Sequence, residues 1–172
     1  MNTRDNSESL TAVLLVGGLG TRLRSVVPNS PKPLASVGHR PFLELLVRQL
    51  RAQGISRLIM CAGYRAGDIE NQFGDGHALG VTIEYSKETE PLGTAGAIGL
   101  ARARLGGLSC FLVMNGDSFV EVDLHRLLDF HRDNQSLVTL AAMRMTAGAR
   151  YGTVEVNGEN RVMAFREKDG SG

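Results

Sequence analysis

Four short stretches carry residue types that could do chemistry on phosphate. The first is Gly17-Gly18-Leu19-Gly20-Thr21-Arg22. Glycines at the end of an apolar run let backbone N–H groups close around phosphate, and Arg22 can grip phosphate oxygens as a bidentate fork. The same glycines would equally serve a tight turn with no ligand. No Gly-Lys-Ser/Thr follows, so this is not a Walker A loop, and Leu23 stands where a dinucleotide fingerprint needs its third glycine. In Ser30-Pro31-Lys32-Pro33-Leu34, two prolines fix the backbone on either side of a lysine and could aim its ammonium at the same phosphates. The alternative is a proline turn with a solvated lysine. In Asn115-Gly116-Asp117, a carboxylate follows a glycine at a strand's end, where a hard cation such as magnesium would bridge phosphate and carboxylate oxygens. A helix or turn cap would look the same. The fourth stretch, Pro91-Leu92-Gly93-Thr94-Ala95-Gly96, opens a helix with small residues, either to bring backbone against a flat ligand such as a nucleobase or to let a helix pack closely.

Apolar runs at 12–16, 58–62, 81–85, 110–114 and 137–143 read as strands, mostly buried on both faces. Helical patterns fall between them at 42–53, 68–73, 94–105 and 123–131. This alternation predicts an α/β protein with a Rossmann-like, doubly wound, mostly parallel sheet, whose ligands sit beyond the carboxyl ends of the strands. The tail differs: 153–156, a turn at Asn157 and Gly158, and 161–166 predict a β-hairpin. Residues 1–9 read as a flexible leader, and 10–172 as one domain.

The chain's 172 residues suffice for a real core, and 42% hydrophobic with 22% charged residues excludes collagen-like, low-complexity and disordered classes. A net charge of +1 gives no general field for nucleic acid or an anionic membrane, so neither is an expected partner. Cys61 and Cys110 lie in apolar runs without a CxxC and read as core thiols, which suits a reducing cytoplasm. His39, His77, His125 and His131 lack ligand spacing and read as surface or loop residues. No apolar stretch near the start is long enough to span a membrane.

Taken together, these stretches resemble the sugar-1-phosphate nucleotidyltransferases from Thr11 to Lys168. Within that family the likeness runs to the D-glycero-D-manno-heptose 1-phosphate and mannose-1-phosphate guanylyltransferases. The glycine-loop arginine with the later Pro-Lys-Pro is its specific signature. The resemblance implies a glycosyltransferase-A-like fold, magnesium as cofactor, and transfer of a nucleoside monophosphate from a triphosphate to a sugar 1-phosphate with release of pyrophosphate. By the same likeness, Gly17, Gly18, Gly20, Thr21 and Arg22 would hold the triphosphate, Lys32 would neutralise the α-phosphate region, and Asp117 would bind the metal. Glu167 and Lys168 match the family's Glu-Lys pair, which holds sugar hydroxyls and sugar phosphate.

Glu88 and Glu90 precede Gly93 and Thr94 on the loop that in this family lies along the base. Either carboxylate could accept both N–H donors of guanine's pairing edge, which favours GTP, or both could be solvated charges. Two departures stand out: Asp169 follows the Glu-Lys pair where proline is common, and the family's second metal-binding aspartate would fall beyond Gly172. The domain is therefore expected to lack its C-terminal portion, to bind nucleotide and to turn over slowly. Other readings are a uridylyl- or thymidylyltransferase and a catalytically silent sugar-nucleotide-binding subunit. The sequence leaves a homo-oligomer open.

Overall fold

The computed structural model describes residues 10–18, 31–144 and 152–166. Contacts divide the chain into two units, Met1–Glu121 and Val122–Gly172. The strands of the first unit are β1 (Thr11–Leu15), β2 (Ser36–Val37), β3 (Arg40–Pro41), β4 (Arg57–Ala62), β5 (Thr82–Lys87) and β6 (Leu112–Asn115). Its helices are α1 (Phe42–Ala52), α2 (Ala66–Phe73), α3 (Gly93–Leu100) and α4 (Arg102–Leu105).

Four strands form a wholly parallel sheet in the order β5-β4-β1-β6, with Leu15 in register with Cys61 on one side and Asn115 on the other. The chain steps from β1 to β4 to β5 in one direction, then returns past β1 to β6. Right-handed crossovers therefore place α1 and α2 on one face and α3 and α4 on the other. Val13, Ile59 and Cys61 pack with Ala97 and Ala101 on the α3–α4 side. Ala12, Leu14, Leu58 and Met60 point to the opposite face and are 0% exposed. The central strands are thus covered on both sides, which is why their sequence runs are continuously apolar.

Helix α1 turns Leu43, Leu46, Val47 and Leu50 inward at helical spacing. It ends where the sequence predicts, at Gly54 with φ 86°. There Ile55 N–H donates to Leu50 O at 3.1 Å and Gly54 N–H to Arg51 O at 3.0 Å, satisfying carbonyls the helix leaves open.

Several expectations are corrected. The helix expected over 94–105 is two helices, with Ala101 between them at φ −76°, ψ −4°. Gly93, Gly96 and Gly99 weaken the first, and Ala101 is drawn fully into the core. Burial on both faces holds for β1 and β4, whereas β6 alternates half-buried and exposed positions. Cys61 is a core thiol, but Cys110 is only half-buried and precedes β6. The β2–β3 hairpin, joined by Gly38 at φ 62° and His39, was not anticipated.

The second unit contains α5 (Leu124–Asp133), β7 (Thr153–Val156) and β8 (Val162–Arg166). Asp123 caps α5 by accepting from Arg126 N–H at 3.0 Å. The predicted hairpin forms, with β7 and β8 antiparallel. Its turn is organised by Asn157 Oδ1, which accepts from Glu159 and Arg161 N–H, and the left-handed residue is Asn160 rather than Gly158. The strand expected over 137–143 does not form. No described strand pairs with it, and Leu137 and Met143 are 99% and 78% exposed, so its apolar composition lacks the hydrogen-bonded neighbour that a strand requires. His39, His77 and His125 are exposed, and His131 is half-buried against Thr139 Oγ1 at 2.9 Å. Among the described residues no helix is long and apolar enough to cross a membrane.

Candidate active site

The chain leaves β1 toward β4 on one side and comes back from β5 to β6 on the other, so the carboxyl ends of β1 and β6 flank the sheet's switch point, where a doubly wound fold opens a crevice. A pocket of about 750 Å³ lies there, lined by Gly17 and Gly18 after β1, Gly63 and Tyr64 after β4, Glu88 to Pro91 after β5, and Asn115 and Asp117 from β6 onward. Lys32, Gly93 and Thr94 complete it.

Each side chain is aimed by a local cause. Gly116 N–H donates to Leu15 O at 2.9 Å, extending the β1–β6 pairing by one residue. A Cβ at Gly116 would fall 3.1 Å from that oxygen and against Val16 Cγ1, so only glycine lets the strands stay this close and deliver Asp117 to the rim. Lys32 begins a 3-10 turn at Lys32–Leu34, closed by Leu34 N–H to Pro31 O at 2.8 Å, with Pro31 and Pro33 buried. The prolines do hold the lysine in place, as expected. Its Nζ meets Asp117 Oδ2 at 2.5 Å, and Ser118 Oγ donates to Asp117 Oδ1 at 3.2 Å.

The glycine turn separates into two cases. A Cβ at Gly17 would meet Glu88 Oε1 at 2.6 Å and Gly63 N at 3.0 Å, whereas one at Gly18 would meet none of the described residues within 4 Å. Neither glycine has positive φ. Gly17 is therefore fixed by packing, while Gly18 lines the pocket with no described residue packed against it. Gly93 has φ 69° at the entrance to α3, and a Cβ at Gly96 would fall 2.7 Å from Leu92 Cβ, so Gly93 serves helix entry and Gly96 close packing. Glu88 is half-buried, and its Oε2 accepts from Leu92 N–H at 3.2 Å. Glu90 is exposed.

Sequence reasoning missed Gly63 and Tyr64. Their signal is only positional: they follow the carboxyl end of a central strand. Cys61 lies at the pocket floor, 3% exposed, and its Sγ donates to Ala97 O at 3.5 Å. Burial raises its thiol above the ordinary value, the Glu88 carboxylate adds to this and Arg104 opposes it, so the thiol stays protonated and inert at neutral pH. Leu19, Gly20, Thr21 and Arg22, and Glu167 and Lys168, lie outside the described residues.

Asp117 suits a divalent metal in its donor chemistry, for a carboxylate oxygen there already accepts a cation, the Lys32 ammonium. Among the described residues no group of three or more His, Cys, Asp or Glu could hold a metal. A metal at Asp117 would complete its coordination with water or with ligand oxygens, as is usual for magnesium with phosphates.

Residues 11–169 match the nucleotidyl transferase family, and the chain belongs to it. Its α/β fold is that of a nucleotidyltransferase, and members of the family generally use a divalent metal. More particularly, the chain is 42% identical over 162 residues to mannose-1-phosphate guanylyltransferase of Mycobacterium tuberculosis, covering 94% of this chain and 45% of that protein. It is 42% identical over 159 residues to D-glycero-alpha-D-manno-heptose 1-phosphate guanylyltransferase of Aneurinibacillus thermoaerophilus, covering 92% and 68%. A crystal structure of HddC from Yersinia pseudotuberculosis complexed with GMP-PN aligns with a TM-score of 0.81 at 33% identity, over 92% of this chain and 69% of that one. The chain therefore spans about half the length of the first relative and about two thirds of the second.

Proposed function

We propose that this protein transfers guanylate from GTP to a sugar 1-phosphate of the mannose or heptose type, giving a GDP-sugar and pyrophosphate. The observation that carries the reading is the meeting of Lys32 and Asp117, 85 residues apart in sequence, at the mouth of the switch-point pocket. Their relatives' names, both guanylyltransferases, supply the substrate class.

The chemistry suits these parts. A sugar phosphate is already an anion at neutral pH, so its oxygen attacks the α-phosphorus without a general base, and the barrier lies in bringing two polyanions together. Gly17 and Gly18 would present backbone N–H groups to the triphosphate, and Arg22 would balance charge on the departing pyrophosphate. Lys32 would set its ammonium against the α-phosphate oxygens during attack. Asp117 would hold a divalent metal, magnesium in this reading, which when bound supplies further neutralisation of the phosphate oxygens. Glu88 would accept from N1–H and the 2-amino group of guanine, with Gly93 and Thr94 beside the base. Glu167 would hold the sugar hydroxyls and Lys168 the sugar's phosphate. A polysaccharide or glycolipid precursor made in the cytoplasm is the product class this implies.

The test is isothermal titration with GTP, ATP, UTP and dTTP, followed by detection of GDP-sugar and pyrophosphate from GTP with mannose or heptose 1-phosphate. Preferential GTP binding and product formation are expected. Preference for a pyrimidine triphosphate, or binding of none of the four, would overturn the assignment.

A further inference from the structure

Lys32 and Asp117 are two charges that the proposed reaction directs at its substrate and metal, yet they pair with each other across 2.5 Å. The second carboxylate oxygen accepts from Ser118 Oγ, so both oxygens of Asp117 have partners. The two side chains are 36% and 35% exposed, open enough for an incoming ligand to reach either one. The lysine cannot withdraw far. Its backbone lies between buried Pro31 and Pro33, and Ala35 N–H donates to Lys32 O at 3.1 Å. Only the side-chain torsions of Lys32 are free to carry the ammonium elsewhere.

We propose that Lys32 is a placeholder cation: without nucleotide it occupies Asp117 and keeps a divalent metal off that carboxylate, and it yields the carboxylate when triphosphate oxygens take the ammonium. The proposal rests on the reading of this pocket as a triphosphate site. Its physical basis is charge balance. A bare Asp117 on the wall of the pocket shared with Gly17 and Gly18 would repel an arriving polyanion, whereas the pair presents no net charge. Exposed ion pairs are weak, so the pair can form and still open to a ligand that satisfies both partners at once. A metal alone satisfies only the carboxylate and must sit beside a displaced like charge. A metal–nucleotide complex satisfies both. Metal and nucleotide consequently bind with positive coupling, each raising the other's affinity by the same factor.

The experiment measures Mn²⁺ binding to the nucleotide-free protein from the electron paramagnetic resonance signal of free Mn²⁺. Wild type is compared with Lys32→Met, Lys32→Gln and Asp117→Asn, two lysine replacements guarding against a single badly folded variant. Both lysine variants should bind Mn²⁺ about five- to tenfold more tightly than wild type, and Asp117→Asn should lose that binding. Adding GTP should raise Mn²⁺ affinity more in wild type than in either lysine variant. Unchanged or weaker Mn²⁺ binding in both lysine variants would overturn the proposal, as would full binding by Asp117→Asn. The Mn²⁺-only arm uses no nucleotide, so a wild-type protein that fails to bind GTP would count against the functional reading, while the Mn²⁺ comparison still decides the role of Lys32.

Discussion

Replacing Gly116 with alanine tests whether close strand pairing is what delivers Asp117. The added Cβ would lie 3.1 Å from Leu15 O and tighter still against Val16 Cγ1. Neither neighbour can give way easily, because Leu15 O is held by Gly116 N–H and Val16 is 1% exposed with its N–H donated to Cys61 O at 2.9 Å. Overpacking of a tight core costs about 1–3 kcal/mol, and alanine returns about 0.4–1 kcal/mol by narrowing the unfolded ensemble. From the middle of each range the net loss is about 1.3 kcal/mol, or roughly 3–5 °C in Tm for a domain of this size. Gly18 supplies the internal control. Its Cβ would meet none of the described residues within 4 Å and its φ is not positive, so Gly18→Ala should melt at or slightly above wild type. The proposed function adds a second readout, since a methyl group at residue 18 intrudes where a triphosphate would lie and should weaken GTP binding about tenfold. Thermal melts followed by circular dichroism, with GTP titrations on the same samples, make the comparison. A Gly116→Ala variant as stable as wild type, or a Gly18→Ala variant equally destabilised, would refute the packing argument.

Asp117→Asn should keep the wild-type melting temperature within a few degrees while lowering guanylyl transfer by about 10²-fold or more, read as pyrophosphate release at saturating magnesium. Glu88→Gln should reduce the ratio of kcat/KM for GTP over UTP and dTTP, because the amide offers one acceptor where the carboxylate offers two; an unchanged ratio would remove Glu88 from base reading. Burial, then Glu70 and Asp75, push the Tyr85 phenol up to about 12 from 10.0. With the folded pKa above the unfolded one, Tyr85 contributes stability fully below about pH 10 and loses it as pH rises toward 12. Urea unfolding across that window should therefore show a decline that Tyr85→Phe flattens, although the variant also forfeits the hydrogen bond to Gly74 O at 2.8 Å.

Elements whose burial is dictated locally could be read from sequence, and those decided by distant partners could not. The strands β1 and β4 announce themselves because both faces are covered, so after Thr11 and Arg57 at their first positions every residue is apolar. The run at 137–143 is similar in composition, yet a strand depends on a neighbour to pair with, and composition carries no record of that neighbour. Helix α1 declared its own end through Gly54. The break at Ala101 had no local marker, because its cause is a side chain drawn into a core that residues from β1 and β4 build. At the site, Gly116 and Asp117 were found through glycine's freedom to approach, and Lys32 through its two prolines. Their mutual contact needed the sheet order, which brings together positions 85 residues apart. Tyr64 was overlooked because nothing distinguishes it within its own segment.

The sheet order also bears on how the chain is made. β1, the earliest described strand of the sheet, is an inner one, and its two neighbours are drawn from residues 57–61 and 112–115. Closing the second of those loops carries the entropic cost of about a hundred residues, and contacts of such separation form late. A nascent chain that has emerged only through α4 therefore has β1 paired on one edge, with Gly17 and Gly18 in place and no Asp117 opposite them. Any ligand that needs both walls of the pocket has nothing to bind until β6 docks, so its stabilising effect acts on the finished sheet and cannot rescue an earlier intermediate.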